Sequence, residues 1–278
     1  MAERITQVER GGGASLALAR LPLALLWLPG GLLLAFILLP LLRMGFAQSW
    51  QSLSGVAVQS EVQAAIWLSL ESAAITAAVA AFLGTPLAYL LAHGQGRINR
   101  LVEVLVDLPL AVPHTVAGIA LLFVFGRQGI VGSLTEPIGL EFWGTEAAIV
   151  VAMLFVSVPF MVNSARLGFE AVDPRLEKVA RTLGLTSFEV LYRVDLPLAW
   201  RGIFTGMALT YARSISEIGS VMVLAYYPMT APVKIYDLYL QSGLQESSAM
   251  AVLLLMVTLS TFLVMRALVN ASWWPSRT

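Results

Sequence analysis

The chain has 278 residues, of which 58% are hydrophobic and 12% charged, with zero formal net charge and a mean hydropathy of +0.80. A soluble domain carries about 25% charged residues, so this composition excludes a water-soluble globular fold and specifies a lipid bilayer as solvent. The neutral balance, with no long basic run, excludes nucleic acid as a partner, and the lack of cysteine excludes disulfides and thiolate metal sites.

Residues 1–20 carry Arg4, Arg10 and Arg20 and read as a polar N-terminal segment. The apolar run 21–42 follows. It exceeds the roughly 7–15 residues of a secretory signal core. It is therefore expected as an uncleaved first span, although Gly45-Phe46-Ala47 resembles a cleavage site. Further apolar blocks at 62–92, 101–126, 145–167, 199–226 and 247–269 each supply the roughly 20 residues needed to cross ~30 Å of hydrocarbon. The expectation is an all-α polytopic membrane protein, with six transmembrane helices forming one domain over 21–278.

The second block is longer than a bilayer needs and can tilt, kink at Pro86 or project into water. Ala73, Ala77 and Ala81 recur at four-residue spacing, beside Ala74 and Ala78. Small residues let helices approach closely in lipid. This predicts packing inside the bundle, with pore lining as the alternative. In the third block Pro109 and Pro113 interrupt the helix and free backbone groups. His114 and Thr115 stand at that interruption and offer side-chain donors. His93 and His114 are the only histidines. Their spacing is not that of metal ligands, so no metal site is expected.

Between the fourth and fifth blocks lies a charged segment, 170–202. Asp173 suits a helix N-cap and Pro174 the first turn. Leu176, Val179, Ala180 and Leu183 form an apolar stripe at helical spacing. Gly184 stands where that helix should stop in a left-handed cap. Thr186 or Ser187 can cap a second short helix with Phe188, Val190 and Leu191 on its apolar face. Leu196-Pro197 closes the unit. Arg175, Lys178, Arg181 and Arg193 surround these apolar residues. Such a knob fits a groove on a soluble partner; the alternative is an interfacial helix with snorkelling basic side chains.

The fifth block holds Arg213, Ser214, Ser216 and Glu217. An ionisable group inside a span is by default a functional site. Arg213 and Glu217 are four apart and can neutralise each other, with Glu71 as another possible partner. Alternatively, Arg213 touches an anion, which needs replacement donors once it leaves water. His114 reads equally as an interhelical hydrogen-bond partner. Tyr226-Tyr227-Pro228 marks an interface with water, and 229–246 can form a short surface helix.

Basic residues set the orientation. With the N-terminus inside, Arg4, Arg10, Arg20, Arg97, Arg100, Arg166, Arg175, Lys178, Arg181, Arg193, Arg201, Arg266 and Arg277 are cytoplasmic. Only Arg43, Arg127 and Lys234 fall in outer loops. The 170–202 segment is thereby predicted to be cytoplasmic.

Gly184, Val194, Leu196 and Pro197 keep the spacing of a motif that begins Glu-Ala-Ala, where this chain has Lys178-Val179-Ala180 with Glu177 one place early. The segment resembles the cytoplasmic coupling loop of ATP-binding-cassette (ABC) importer permeases. Two further stretches narrow the resemblance. Asp107 to Gly118, followed by Phe125-Gly126-Arg127-Gln128-Gly129, is similar to the third span of oxyanion permeases. Tyr211 to Gly219, followed by Leu224 to Thr230, is similar to their fifth span and outer loop. Over roughly 60–270 the combination most resembles the molybdate/tungstate permeases, particularly the tungstate-type branch. Sulfate and thiosulfate permeases share the Ala-Arg and Glu-x-Gly elements and stay as the alternative.

The resemblance implies that Glu177, Lys178, Ala180, Gly184, Leu185, Leu196 and Pro197 couple to an ATPase. It places Pro113, His114, Thr115, Arg213, Ser214, Ser216 and Glu217 along the translocation pathway. It implies no catalytic residue and no cofactor in this chain. The implied partners are a second permease copy, two ABC ATPase subunits that bind ATP and Mg, an extracytoplasmic solute-binding protein, the oxyanion and the bilayer of the cell inner membrane. The chain has no phosphate-binding Gly-x-x-x-x-Gly-Lys-Ser/Thr loop, which agrees with a separate ATPase. A stand-alone secondary transporter would also use broken helices and a buried ion pair, but it has no need of a docking knob. An intramembrane enzyme is excluded by the lack of nucleophile-elbow, His-Glu-x-x-His or paired-aspartate motifs.

The orientation is testable because the chain is free of cysteine. Single cysteines at Ser187 and Ser242 are expected to differ in sealed cells, with only position 242 reacting with an impermeant thiol reagent. Equal labelling of both would refute the orientation.

Overall fold

The computed structural model describes residues 27–135, 139 and 142–270, and every regular element among them is helical. The expected N-terminal segment 1–20 lies outside the described residues. Helix α1, Trp27–Phe46, stands as a unit apart. It has no buried residue and is apolar all round, as a lipid-facing span requires.

The second unit begins with α2, Trp50–Ala57, and α3, Ser60–His93. With 34 residues, α3 is about 51 Å long at 1.5 Å per residue. That length exceeds the roughly 30 Å of hydrocarbon, an excess that tilt or projection beyond the bilayer can take up. Pro86 lies inside it without ending it. Next come α4, Arg97–Ala111, α5, His114–Phe125, and α6, Ile130–Thr135. Helix α7, Glu146–Glu170, leads into the short helices α8, Pro174–Thr182, and α9, Ser187–Val190. A π-turn over Leu191–Asp195 joins α9 to α10, Leu196–Ile215. The chain ends through α11, Gly219–Leu224, α12, Ala231–Ser242, and α13, Leu244–Asn270.

Two expected spans are not single helices. The block 101–126 is split at Val112, whose backbone is extended ahead of Pro113. Proline disfavours helical backbone in the residue before it, and its missing N–H cannot continue the ladder. Pro109, by contrast, stays inside α4. The block 199–226 is split at Ser216–Ile218. There the Glu217 carboxylate takes the backbone N–H of Ser220, at 2.9 Å. A side chain that claims backbone donors in this way competes with helix continuation.

The core lies where α7 packs between α3 and α10. Ala73, Ala77, Ala80, Gly84 and Ala88 form the buried stripe of α3. The small-residue pattern therefore serves packing; Ala74 and Ala78 are exposed and Ala81 half-buried. Across from the stripe lie Met153, Met161, Val162 and Ala165 of α7. Helices α7 and α10 touch backbone to backbone. A Cβ on Gly202 would sit 2.6 Å from the Gly168 Cα, so only glycine permits the crossing. Two buried hydroxyls of the core are satisfied within their own helices: Thr76 donates to the Ser72 carbonyl at 2.7 Å, and Ser157 to that of Met153 at 2.6 Å. Helix α4 is strapped to α7 by Asn163 donating to Asp107 at 2.7 Å and by the Arg166–Glu103 ion pair at 3.1 Å.

Candidate functional site

The two helix breaks meet. Gly219, at the start of α11, abuts His114, at the start of α5; a Cβ there would lie 2.6 Å from the His114 Cβ. Gly118 is pressed as closely against Ser220 and Val223. This close approach puts His114, Arg213 and Glu217 in one cluster.

Glu217 is 2% exposed, and its carboxylate is fully used. One oxygen accepts from the Ser220 N–H and hydroxyl, each at 2.9 Å. The other accepts from Arg213 Nη2 at 2.8 Å, with His114 Nδ1 at 3.1 Å. Arg213 also donates to the Ser216 hydroxyl at 3.2 Å, and its Nη2 lies 3.0 Å from His114 Nε2. The expected neutralising pair is thus present. It is not sealed, because the Arg213 side chain is 22% exposed and that of His114 48%. Guanidinium carries five donors, and the exposed edge can face a ligand while the other edge holds Glu217. Ser214 lies outside this cluster. It is buried and donates to the Ser157 hydroxyl at 3.1 Å. Pro113 and Thr115 are exposed at the break, and Glu71 sits on an exposed face of α3, with no ion pair to Arg213 among the described residues.

The segment between α7 and α10 is built by strong local signals. Asp173 caps α8 by accepting from the Arg175 N–H at 2.9 Å, with Pro174 in the first turn. Gly184 ends α8 at φ +88°, and the N–H groups of Gly184 and Leu185 bond the Arg181 and Ala180 carbonyls at 3.0 and 3.2 Å. This is a Schellman stop, which needs a left-handed residue. Thr186 and Glu189 exchange hydrogen bonds in a capping box at the start of α9. Those bonds from Thr186, backbone first, hold the Glu189 carboxyl below its ordinary range. Leu196 and Pro197 do not end the unit; they begin α10, where proline at the first turn is favoured.

The apolar stripe divides. Ala180 and Val190 turn inward, whereas Leu176, Val179, Leu183, Phe188 and Tyr192 are exposed. Lys178, Gly184 and Pro197 are exposed too, while Leu185 and Leu196 are half-buried. Glu177 faces inward, with its Oε1 3.0 Å from His93 Nε2 at the end of α3. Asp195 lies beside them, fully buried. Burial raises its carboxyl above the usual range, and the Glu177 charge adds to this. Asp195 escaped the sequence reading, and His93 entered it only as a histidine without metal-ligand spacing.

Residues 84–272 match the family described as binding-protein-dependent transport system inner membrane component. The chain belongs to this family. It is a multi-pass inner-membrane component of that kind, and both sites fall within the matched residues. It is 38% identical over 243 residues to the molybdate/tungstate transport system permease protein WtpB of Pyrococcus furiosus, across 87% of this chain and 92% of that one. It is 34% identical to the molybdenum transport system permease protein ModB of Mycobacterium tuberculosis, across 86% and 91%. A solved bacterial ABC transporter for alginate import has a chain with the same fold, at a TM-score of 0.68 and 17% identity over 98% of this chain.

Removing one member of a buried ion pair strands the other and costs about 3–5 kcal/mol. Arg213→Ala is therefore expected to lower the yield of monodisperse protein and its melting temperature. Arg213→Ala/Glu217→Ala is expected to recover part of both. Wild-type stability in Arg213→Ala would show that the pair carries no structural weight.

Proposed function

We propose that this chain is the transmembrane permease subunit of an ATP-driven ABC importer for molybdate or tungstate. It would act as a homodimer with two ATPase subunits that bind ATP and Mg. An extracytoplasmic solute-binding protein would deliver the oxyanion, and both termini would be cytoplasmic. The observation that carries the ABC reading is the α8–α9 knob. It is locally rigid, capped at both helices, and presents Leu176, Val179, Leu183 and Phe188 outward beside Arg175 and Lys178. An exposed apolar patch on a stiff, basic-rimmed element suits a groove on a soluble partner. The names of the WtpB and ModB relatives support the substrate class.

The connectivity supplies a mechanism. The knob is continuous with α7 on one side and, through the π-turn, with α10 on the other. Helix α10 ends two residues beyond Arg213, at the broken-helix junction. ATP would close the ATPase pair and draw the two knobs together. The motion would pass along α10 and shift Arg213 and Glu217 against His114 on α5. A dianion leaving water needs cationic donors in place of its hydration shell. The exposed edge of Arg213, with His114 beside it, provides them in a cluster whose resting charge is balanced by Glu217.

Gly184→Val tests the coupling role, since a β-branched residue tolerates the left-handed conformation poorly. No atom crowds the position, so the effect comes from backbone conformation alone. In liposomes with ATPase and binding protein, the variant is expected to insert normally but to lose at least about tenfold in ATP-driven tungstate uptake, a loss of about 1.4 kcal/mol or more in coupling. Normal complex recovery with normal uptake would sink the assignment. Calorimetric titration of the binding protein with molybdate, tungstate and sulfate tests the substrate, and selective sulfate binding would overturn it.

A further inference from the structure

At the C-terminal end of α3, three groups from distant parts of the chain converge. His93 Nε2 and carboxylate oxygens of Glu177 and Asp195 all lie within 4.8 Å of one another. His93 Nδ1 is 2.9 Å from the Tyr89 carbonyl, so that nitrogen carries the proton and donates it. In the neutral ring the Nε2 lone pair then points at Glu177 Oε1, 3.0 Å away, and in the charged ring Nε2 donates to it. A lone pair facing a carboxylate requires an electrophile between them, either a proton or a metal ion.

Asp195 decides between the two. It is 0% exposed, and neither carboxylate oxygen has a hydrogen-bond partner among the described residues. Tyr89 faces it without closing a bond of good geometry. A proton between His93 and Glu177 would satisfy that pair but give neither buried Asp195 oxygen a partner. A cation seated among all three would satisfy every one of them. The electrostatics agree: two carboxylates stand against one nearby guanidinium, Arg181, which sits 3.8 Å from the other Glu177 oxygen.

We propose that His93, Glu177 and Asp195 bind a first-row divalent cation of the zinc class, which fastens the α8–π-turn segment to the end of α3. One imidazole and two carboxylates supply three nitrogen and oxygen ligands of the kinds zinc accepts and leave a fourth position open. Bonds of ~2.0–2.1 Å in a tetrahedral site put neighbouring ligand atoms about 3.3 Å apart, close to the His93–Glu177 separation. The Nδ1 bond to a backbone carbonyl is the orienting contact that metal-bound histidines usually make. The site stands on these side chains whether or not the knob docks on an ATPase.

The test uses the full chain in nanodiscs, chelator-treated and free of any histidine tag. Cobalt(II) is titrated while its visible absorption is followed, then displaced with zinc(II). The expected result is one cobalt per chain, with a visible band that zinc abolishes. Asp195→Asn and His93→Gln should each weaken binding at least about tenfold, while His114→Gln should leave it unchanged. The wild-type titration alone can refute the proposal: no saturable binding, with stability responding only to pH, would mean that a shared proton fills the site. Binding equal in wild type, Asp195→Asn and His93→Gln, or lost only in His114→Gln, would also overturn it.

Discussion

Hydrocarbon leaves no water to bond an unpaired backbone group, so a helix inside the bilayer can stop only where protein takes over its donors and acceptors. That constraint organises this molecule. The two interrupted spans, at Val112–Pro113 and Ser216–Ile218, are not scattered through the bundle; they lie against each other. Glu217 makes the second break tolerable. Its carboxylate supplies the start of α11 with an acceptor, and Arg213 from the end of α10 supplies the counter-charge. A single buried carboxylate thus closes one helix, opens the next and holds an arginine in the membrane. The junction is the place in the bundle where irregular backbone, exposed donors and a balanced charge coincide.

Helix α10 connects this junction to the knob. Its first turn follows the π-turn from α9, and its last turn carries Arg213. It crosses α7 at the Gly168–Gly202 contact, where backbones touch and side chains cannot yield. Such a crossing behaves as a stiff bearing more than as a soft pad. Under the proposed mechanism, displacement at the knob would be directed along α10 rather than absorbed by repacking. The knob is equally stiff, because capping box, Schellman stop and proline-led first turn each fix one of its ends.

Much of the knob was legible because its determinants are local. Asp173, Pro174, Gly184 and Thr186 each act on residues within a turn of themselves, so the chain order carries their meaning. Pro113 was legible for the same reason. The break at Ser216–Ile218 was not: Arg213 and Glu217 at i,i+4 read as one continuous helix face, whereas the Glu217 carboxylate takes the Ser220 N–H and meets His114, a residue of the distant α5. Glu177 read as part of a docking motif, yet it turns inward to His93, 84 residues earlier. Ser214 read as a pathway residue because it neighbours Arg213, but one position on a helix is a rotation of about 100°, enough to bury it against Ser157. Contacts set by helix rotation and by distant segments are invisible to spacing alone.

The central claim is that the α8–α9 knob is the surface that meets the ATPase. Hydrogen–deuterium exchange on the permease in nanodiscs, with and without its ATPase subunits, measures this directly. The account predicts that peptides covering 174–193 gain strong protection when the ATPase binds, while those of α12 on the opposite side do not. A stable complex that leaves 174–193 as exposed as before would contradict it.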